Sequence, residues 1–108
     1  MTFEVQSTVN ACLDLKNIYR YIADTLLEPV VAENQYSRIE KAVYSLDTMP
    51  ERFRQYEKEP WRSRNLRIMP VDNYLVFYIV DNKNRIVTVI RIMYGKRNIE
   101  KELSRLYF

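Results

Sequence analysis

Two adjacent cations that follow the last apolar run of the sequence are the residues best suited to chemistry. Gly95 separates that run from Lys96 and Arg97, and a glycine permits a sharp turn that would set both cations at the edge of a sheet. A fixed guanidinium there could stabilise negative charge that develops on a phosphate group. The structural alternative is that Arg97 marks the start of a helix or pairs with Glu100 or Glu102.

Two further arginines lie inside runs of β-branched and aromatic residues, which are typical of strands. Arg67 could contact a phosphate or the acidic groups of a partner, or it could be an edge-strand charge that discourages aggregation. Arg91 interrupts an otherwise apolar run, and a charge there must be paired or reach solvent. It would therefore point from an open sheet face towards a ligand, or pair with an acid such as Glu57 or Asp72.

Tyrosines in the same runs could take part in binding or proton transfer. Tyr74, Tyr78 and Tyr94 could stack on nucleic-acid bases or exchange a proton with a substrate. Strand tyrosines more often serve packing. Tyr94 directly precedes Gly95 and the two cations Lys96 and Arg97, and of the three tyrosines it best fits a functional role.

Residues 51–64 form a basic connector in which aromatic residues alternate with charged ones. Its cations are Arg52, Arg54, Lys58, Arg62 and Arg64. With Phe53, Tyr56 and Trp61 nearby, the segment is similar to a nucleic-acid-binding surface. The alternatives are a solvated loop partly neutralised by its own glutamates, or a surface that a partner protein covers.

The composition excludes several kinds of chemistry. The chain has no histidine and a single cysteine, Cys12, so the commonest general base and the commonest zinc ligands are missing. We therefore expect neither a metal nor a cofactor. One cysteine cannot form an internal disulfide, no basic-then-apolar leader is visible, and no run approaches the roughly 18 apolar residues of a membrane span. We expect a cytoplasmic protein with no membrane partner.

Charge is distributed unevenly along what is expected to be one domain, residues 1–108. The first 50 residues carry a net charge of −3 and the remainder +6. The second half is therefore predicted to face a polyanion or an acidic protein, with ordinary solvated surface as the alternative.

Hydrophobic periodicity predicts the elements that position these residues. The pattern predicts a strand over Thr2–Ser7, helices over Asn10–Leu27 and Pro29–Asp47, strands over Asn65–Pro70, Tyr74–Asp81 and Arg85–Tyr94, and a short helix over Asn98–Leu106. This order predicts an α+β fold with an N-terminal strand, an α-helical hairpin, a three-stranded antiparallel meander and a short C-terminal helix. The first strand would join the same antiparallel sheet. The helices would cover one sheet face and leave the other open.

The residues at these positions resemble one known family over nearly the whole chain. The helices contribute Ala11, Asp14, Leu15, Ile18, Tyr21, Ile22, Pro29, Ala32, Ile39, Ala42, Leu46 and Pro50. The strands contribute Arg67, Asn73, Tyr74, Val76, Phe77, Tyr78, Val87, Val89, Ile92, Tyr94, Gly95 and Arg97. In this order and spacing, the set resembles the RelE/ParE superfamily of toxins from bacterial toxin–antitoxin pairs.

The resemblance implies a growth-arresting toxin of a type II, plasmid-stabilising system. A cognate antitoxin would hold it inactive by wrapping it with an acidic or amphipathic segment, and the complex would bind operator DNA through the antitoxin. The resemblance also implies the fold described above. It leaves two targets open, mRNA on the ribosome or DNA gyrase.

The same resemblance assigns roles to the basic residues. Arg97 would be catalytic in mRNA cleavage, where it would stabilise the phosphate as the 2′-hydroxyl attacks, with Arg67 and Tyr94 as further catalytic candidates. The residues expected to bind nucleic acid, phosphate or a partner are Lys96, Arg91, Arg62, Arg64, Arg52 and Arg54.

The sequence departs from the ribonuclease branch of the superfamily at two points. Leu75 stands where that branch usually has an active-site arginine, and the histidine that some relatives use is absent. Both departures favour the ParE-like branch, which is associated with blocking DNA gyrase. They also fit an inactive relative that only binds its partner, so all three hypotheses stay open at this point.

Overall fold

A computed structural model describes residues 2–104 and has the predicted order of elements. The strands and helices are β1 (Glu4–Ser7), α1 (Val9–Arg20), α2 (Pro29–Tyr44), β2 (Leu66–Val71), β3 (Tyr74–Asp81), β4 (Ile86–Tyr94) and α3 (Ile99–Leu103). The α+β class predicted from the sequence is confirmed. Leu106, which was expected in the last helix, lies outside the described residues. Within residues 2–104, no helix is long and apolar enough to cross a membrane.

The four strands form one sheet in the order β1-β4-β3-β2. β2, β3 and β4 make the predicted antiparallel meander. β1 pairs with β4 in the parallel direction, with Glu4 opposite Ile86 and Ser7 opposite Val89. The expectation of an entirely antiparallel sheet was therefore wrong. The helices and the connector return the chain to the end of the sheet at which β1 begins, so that β2 and β4 both run parallel to β1.

The helical hairpin begins with an N-capped α1, and a π-helical turn follows α1 before the chain reaches α2. The Thr8 hydroxyl accepts the N–H of Ala11 at 3.2 Å and caps α1. The predicted helix to Leu27 is α-helical only to Arg20, after which Tyr21–Thr25 form a π-helical turn. Pro29 starts α2, as expected, since its missing N–H is not needed in a first turn.

Apolar residues on both faces of the sheet produce two cores. The core between the helices and the sheet includes Ala11, Ile39, Val43, Leu46, Val76, Tyr78, Val87, Val89 and Ile92. The core on the opposite face consists of Trp61, Leu66, Ile68, Phe77, Ile90, Met93 and Leu103. The prediction of an open sheet face was therefore wrong. The connector's Trp61 and the α3 residue Leu103 cover it, because strands that are apolar on both faces need a cover on each side.

Candidate functional site

The turn after β4 lies against the turn between β2 and β3. The Gly95 N–H donates to the Asn73 carbonyl at 2.9 Å, and the Arg97 N–H donates to the Tyr94 carbonyl at 3.0 Å. A Cβ atom at Gly95 would lie 3.3 Å from the Asn73 carbonyl oxygen. Gly95 does not have a positive φ. The glycine is thus explained by the close approach of two backbones and not by a left-handed turn.

Lys96 and Arg97 both lie exposed at this end of the sheet. Neither side chain forms a hydrogen bond or ion pair with another residue in the part of the chain that the structure describes. The pairing of Arg97 with Glu100 or Glu102 is not formed. Glu100 instead pairs with Lys58, and Glu102 contacts Arg91. Both cations are therefore available to a ligand.

Two tyrosines of neighbouring strands pack against each other at this end of the sheet. The rings of Tyr74 and Tyr94 meet edge to face with centroids 5.8 Å apart. Burial raises the pKa of Tyr74, and the nearby phenols of Tyr94 and Tyr21 add to the effect. Tyr94 keeps 41% of its surface exposed. The sequence indicated Tyr94 and Tyr74, but Tyr21 was missed because it comes from the helical hairpin.

An ion pair fastens α2 to the sheet next to this site. The Arg38 guanidinium donates to both carboxylate oxygens of Asp72, at 2.6 and 2.9 Å, and the Gln35 amide donates to one of them at 3.0 Å. The Arg38 hydrogen bond is the main reason that the pKa of Asp72 is lowered. The only sequence signal for it was the spacing of Gln35 and Arg38, which lie about one turn apart on α2.

Arg91 is bound within the fold at the edge of β4. Its Nε donates to Asp14 at 2.6 Å and its Nη2 donates to the other Asp14 oxygen at 3.0 Å. Its Nη1 lies 3.5 Å from Glu102. Asp14 also accepts the backbone N–H of Ile92 at 2.9 Å. Pairing was one of the two expectations for Arg91, but the predicted partners Glu57 and Asp72 were wrong.

A β-bulge explains why Arg91 turns to the edge. Phe77 lies opposite Arg91 and Tyr78 lies opposite Val89, which leaves Ile90 as the extra residue. β1 has already ended at this level, so α1 supplies the acceptor in place of a neighbouring strand. The Arg91 side chain is 12% exposed, and the Asp14 hydrogen bond raises its pKa.

The Arg67 guanidinium also donates its hydrogen bonds to acceptors within the fold. Its Nη1 donates to the carbonyls of Glu51 and Phe53, at 3.1 and 2.8 Å. Its Nη2 donates to the Glu51 carboxylate at 3.2 Å, and its Nε donates to Asn65 at 3.2 Å. The side chain is 16% exposed. These contacts fasten the connector to β2.

The sheet register separates Arg67 from the cations at the end of β4. Arg67 lies opposite Tyr78, whereas Tyr94 lies opposite Tyr74. Four residues of β3 separate the two levels, which is roughly 13 Å along a strand. The structure therefore brings Tyr94, Lys96 and Arg97 together and places Arg67 elsewhere.

The connector cations fall into two groups. Arg52 donates to the carbonyls of Thr48 and Met49, at 2.5 and 3.1 Å, and so closes the end of the helical hairpin. The remaining predicted binders, Arg54, Arg62 and Arg64, have exposed side chains. The Arg64 guanidinium lies 5.4 Å from the centre of the Trp61 ring. Their role in binding stays a prediction.

The described fold is shared with proteins from solved toxin–antitoxin complexes. A structure described as the chromosomal ParDE system from P. aeruginosa matches with a TM-score of 0.70 and 18% identity over 87% of this chain and 97% of that chain. The archaeal RelE–RelB complex from Pyrococcus horikoshii matches with a TM-score of 0.64 and 17% identity over 90% and 99% of the two chains. The RelBE2 complex from Mycobacterium tuberculosis matches with a TM-score of 0.63 and 16% identity over 87% and 99%. These likenesses define the class of fold as RelE/ParE-like.

The sequence itself assigns the family. Residues 5–99 match the family model described as the ParE toxin of a type II toxin–antitoxin system, parDE. The chain therefore belongs to the ParE toxin family within the RelE/ParE superfamily. No curated protein sequence matches it.

Proposed function

We propose that this protein arrests bacterial growth by inhibiting DNA gyrase and that a cognate antitoxin holds it inactive. The choice of gyrase as the target rests on which basic residues are already hydrogen-bonded within the fold. A phosphate site for RNA cleavage was expected to draw on Arg67, Arg91, Lys96 and Arg97. Two of them, Arg67 and Arg91, are satisfied by acceptors of the fold, each with less than a fifth of the side chain exposed.

The position of Leu75 supports the same choice. This residue stands where the ribonuclease branch has an arginine, and here it is half-buried against the second core. Its Cγ would lie 3.7 Å from a Cβ at residue 95. A leucine packed beneath the terminal turn supplies no charge to a reacting phosphate.

The antitoxin is proposed from the chemistry of the exposed basic end. Lys96 and Arg97, with the half-exposed Tyr94, offer cations and an aromatic face to an acidic, amphipathic segment. The three solved structures reported above are toxin–antitoxin complexes. We propose that the complex also binds its operator DNA through the antitoxin, and that the protein acts in the cytoplasm.

Ribosome-dependent mRNA cleavage is the second candidate. It is favoured by the exposed Lys96 and Arg97, which follow Tyr94 closely in the chain, since such a set could hold a phosphate and exchange a proton. In this case Arg97 and Tyr94 would be the catalytic residues. Arg67 could take part only after leaving its contacts with the connector.

The deciding experiment is induced expression in bacteria, with and without the antitoxin. New transcript 5′ ends and gyrase-type DNA breaks would be scored in the same cultures, and purified gyrase would be tested for loss of supercoiling. DNA breaks with intact mRNA are expected. Cleavage within translated codons would replace gyrase with mRNA as the target, and unimpaired growth would indicate a module that only binds its partner.

A further inference from the structure

Four neighbouring aliphatic side chains lie in water at the end of the helical hairpin. Leu26, Leu27, Val30 and Val31, called the hairpin tip below, are 51%, 77%, 68% and 50% exposed. Leu26 and Leu27 follow the π-helical turn, and Val30 and Val31 lie in the first turn of α2. Apolar residues grouped in this way on a surface mark a contact with another molecule.

Leu27 has a backbone conformation that a leucine does not favour. Its φ is 57°, and the N–H of the next residue, Glu28, donates to the Ile22 carbonyl at 3.0 Å. This is the helix-ending position at which glycine is preferred. Because the Leu27 side chain is mostly exposed, packing within the fold does not offset the strain. Met49 is also exposed with a positive φ, so this backbone conformation alone does not mark a docking site. The cluster of exposed aliphatic side chains around Leu27 is what distinguishes it.

The charge around the hairpin tip is acidic in a basic protein. Residues 24–31, which include the tip, contain Asp24 and Glu28 and no lysine or arginine, whereas the whole chain carries +3. Glu33, further along α2, lines a surface cleft together with Lys16 and Arg20. All three carboxylates are exposed. None of them forms a hydrogen bond or ion pair with a residue in the range 2–104. The complementary surface is therefore apolar and flanked by cations.

The hairpin tip is held in place for docking. The Arg38–Asp72 pair and Gln35 fasten the first half of α2 to the sheet. A surface that is already ordered loses little conformational freedom when a partner binds.

We propose that the hairpin tip docks a protein whose surface is apolar and flanked by lysine or arginine. Resting on the proposed function, we further infer that this protein is the toxin's target. An acidic antitoxin segment would be repelled by Asp24 and Glu28 and would instead bind the basic end at Lys96 and Arg97. The two surfaces would then serve two different partners.

The variant Leu27→Gly tests this surface without damaging the fold. Glycine relieves the left-handed backbone, so the melting temperature is expected to rise, while the exposed side chain is lost. Met49→Gly is the matched control, because Met49 also has a positive φ, 48°, and is 72% exposed, but it lies beyond the far end of α2. The pair Asp24→Asn and Glu28→Gln removes two of the carboxylates.

Binding is measured by calorimetry with two designed helical peptides, one of leucine and lysine and one of leucine and glutamate. The full chain is expected to bind the lysine peptide and not the glutamate peptide. Leu27→Gly should weaken this binding at least about tenfold, the carboxylate pair should weaken it several-fold, and Met49→Gly should leave it unchanged. Equal binding of both peptides, equal losses in both glycine variants, or no binding to the unmodified chain would overturn the proposal.

Growth assays separate this proposal from the proposed function. If the unmodified chain arrests growth, Leu27→Gly should abolish the arrest and Met49→Gly should preserve it. Retained arrest in Leu27→Gly would overturn the assignment of the docked protein as target. If the unmodified chain does not arrest growth, the proposed function fails, and the peptide titration still decides the docking surface.

A dimer that Leu27→Gly converts to a monomer in sedimentation would show that a second copy covers the tip, which would also overturn the proposal.

Discussion

The arginines inside the sheet and the cations beyond its end have the same charge but different roles in the structure. Arg67 and Arg91 each donate to several acceptors and are largely buried. Lys96 and Arg97 are exposed and, within the described residues, keep their donors free. In the sequence all four are cations that lie in or directly after a predicted strand. What distinguishes them is whether the fold brings an acceptor to them.

The difference arises from neighbouring elements and not from the arginines themselves. Asp14 of α1 reaches Arg91 because β1 ends before that level of β4. Glu51 reaches Arg67 because the connector lies along β2, where Gln55 forms an isolated bridge with Arg67. Within residues 2–104, the turn at Lys96 and Arg97 stays exposed. The free cations at this end are therefore available for binding. Arg67 and Arg91, which are hydrogen-bonded within the fold, are expected to contribute mainly to stability.

The largest effect is expected from removing the acceptor of Arg91. Asp14→Ala leaves a mostly buried guanidinium without its main partner and the Ile92 N–H without an acceptor. We expect a loss of about 3 kcal/mol in the free energy of unfolding, measured by urea denaturation.

The exposed pair at the sheet end is the control for that prediction. Arg38 and Asp72 have side chains that are 66% and 30% exposed. Asp72→Asn keeps a residue that tolerates the local positive φ of 56° and removes only the charge. A loss below about 1 kcal/mol is expected. Equal losses in Asp14→Ala and Asp72→Asn would contradict the distinction between buried and exposed pairs.

A pH titration probes the buried region next to Arg67. Tyr78 is fully buried, and its hydroxyl donates to the Pro50 carbonyl at 2.6 Å. Burial raises the pKa of Tyr78 from 10.0 to about 12. The folded state therefore keeps this proton at a pH where the unfolded chain loses it, so the contribution is complete below pH 10 and is lost as the pH rises towards 12.

The expected slope is a loss of about 1.4 kcal/mol in unfolding free energy for each pH unit in that window. Urea denaturation at several values between pH 9 and 12 measures it. Tyr78→Phe removes the titrating group and should flatten the slope, although it lowers stability at neutral pH by about 1 kcal/mol through the lost hydrogen bond. Identical slopes in both proteins would show that another group is responsible.

Substitution of Arg67 tests most directly whether a cation that is hydrogen-bonded within the fold serves stability. Arg67→Ala removes the donors to Glu51, Phe53 and Asn65 and should lower stability by about 2 kcal/mol. Arg54→Ala removes an exposed cation of the same connector and should change stability by less than about 0.5 kcal/mol. Thermal unfolding of the two variants in parallel compares them. A stable Arg67→Ala protein that no longer arrests growth would restore Arg67 as a functional residue.

The fold was largely predictable because its elements have strong local signals. The range of β3, Tyr74–Asp81, was predicted correctly, since an apolar run between turn residues defines a buried strand. The parallel pairing of β1 and the cover on the second sheet face were not, because both depend on contacts between distant segments. The left-handed backbone at several turn residues was not predictable either. Leu27, Met49 and Arg85 adopt a positive φ without being glycine.

The candidate site was predictable in part for the same reason. Tyr94, Lys96 and Arg97 are neighbours in sequence and remain neighbours in the structure. Whether Arg67 and Arg91 are paired or free could not be predicted. A strand pattern does not reveal which acidic side chain of another element will lie beside each guanidinium. The effect of Tyr21 on the pKa of Tyr74 was missed because it depends on how the helical hairpin packs against the sheet.

The smallest effect on stability is expected at the free cations, and it is the most informative for function. Lys96→Ala and Arg97→Ala remove no contact within the described residues, so each should change the free energy of unfolding by less than about 0.5 kcal/mol. Both variants should nevertheless relieve growth arrest or weaken antitoxin binding. Lys41→Ala removes one exposed charge from α2 and controls for net charge. If Arg97→Ala stayed fully toxic and fully neutralised at the expression level of the unmodified protein, availability alone would not make a cation functional. The basic end would then be ordinary solvated surface.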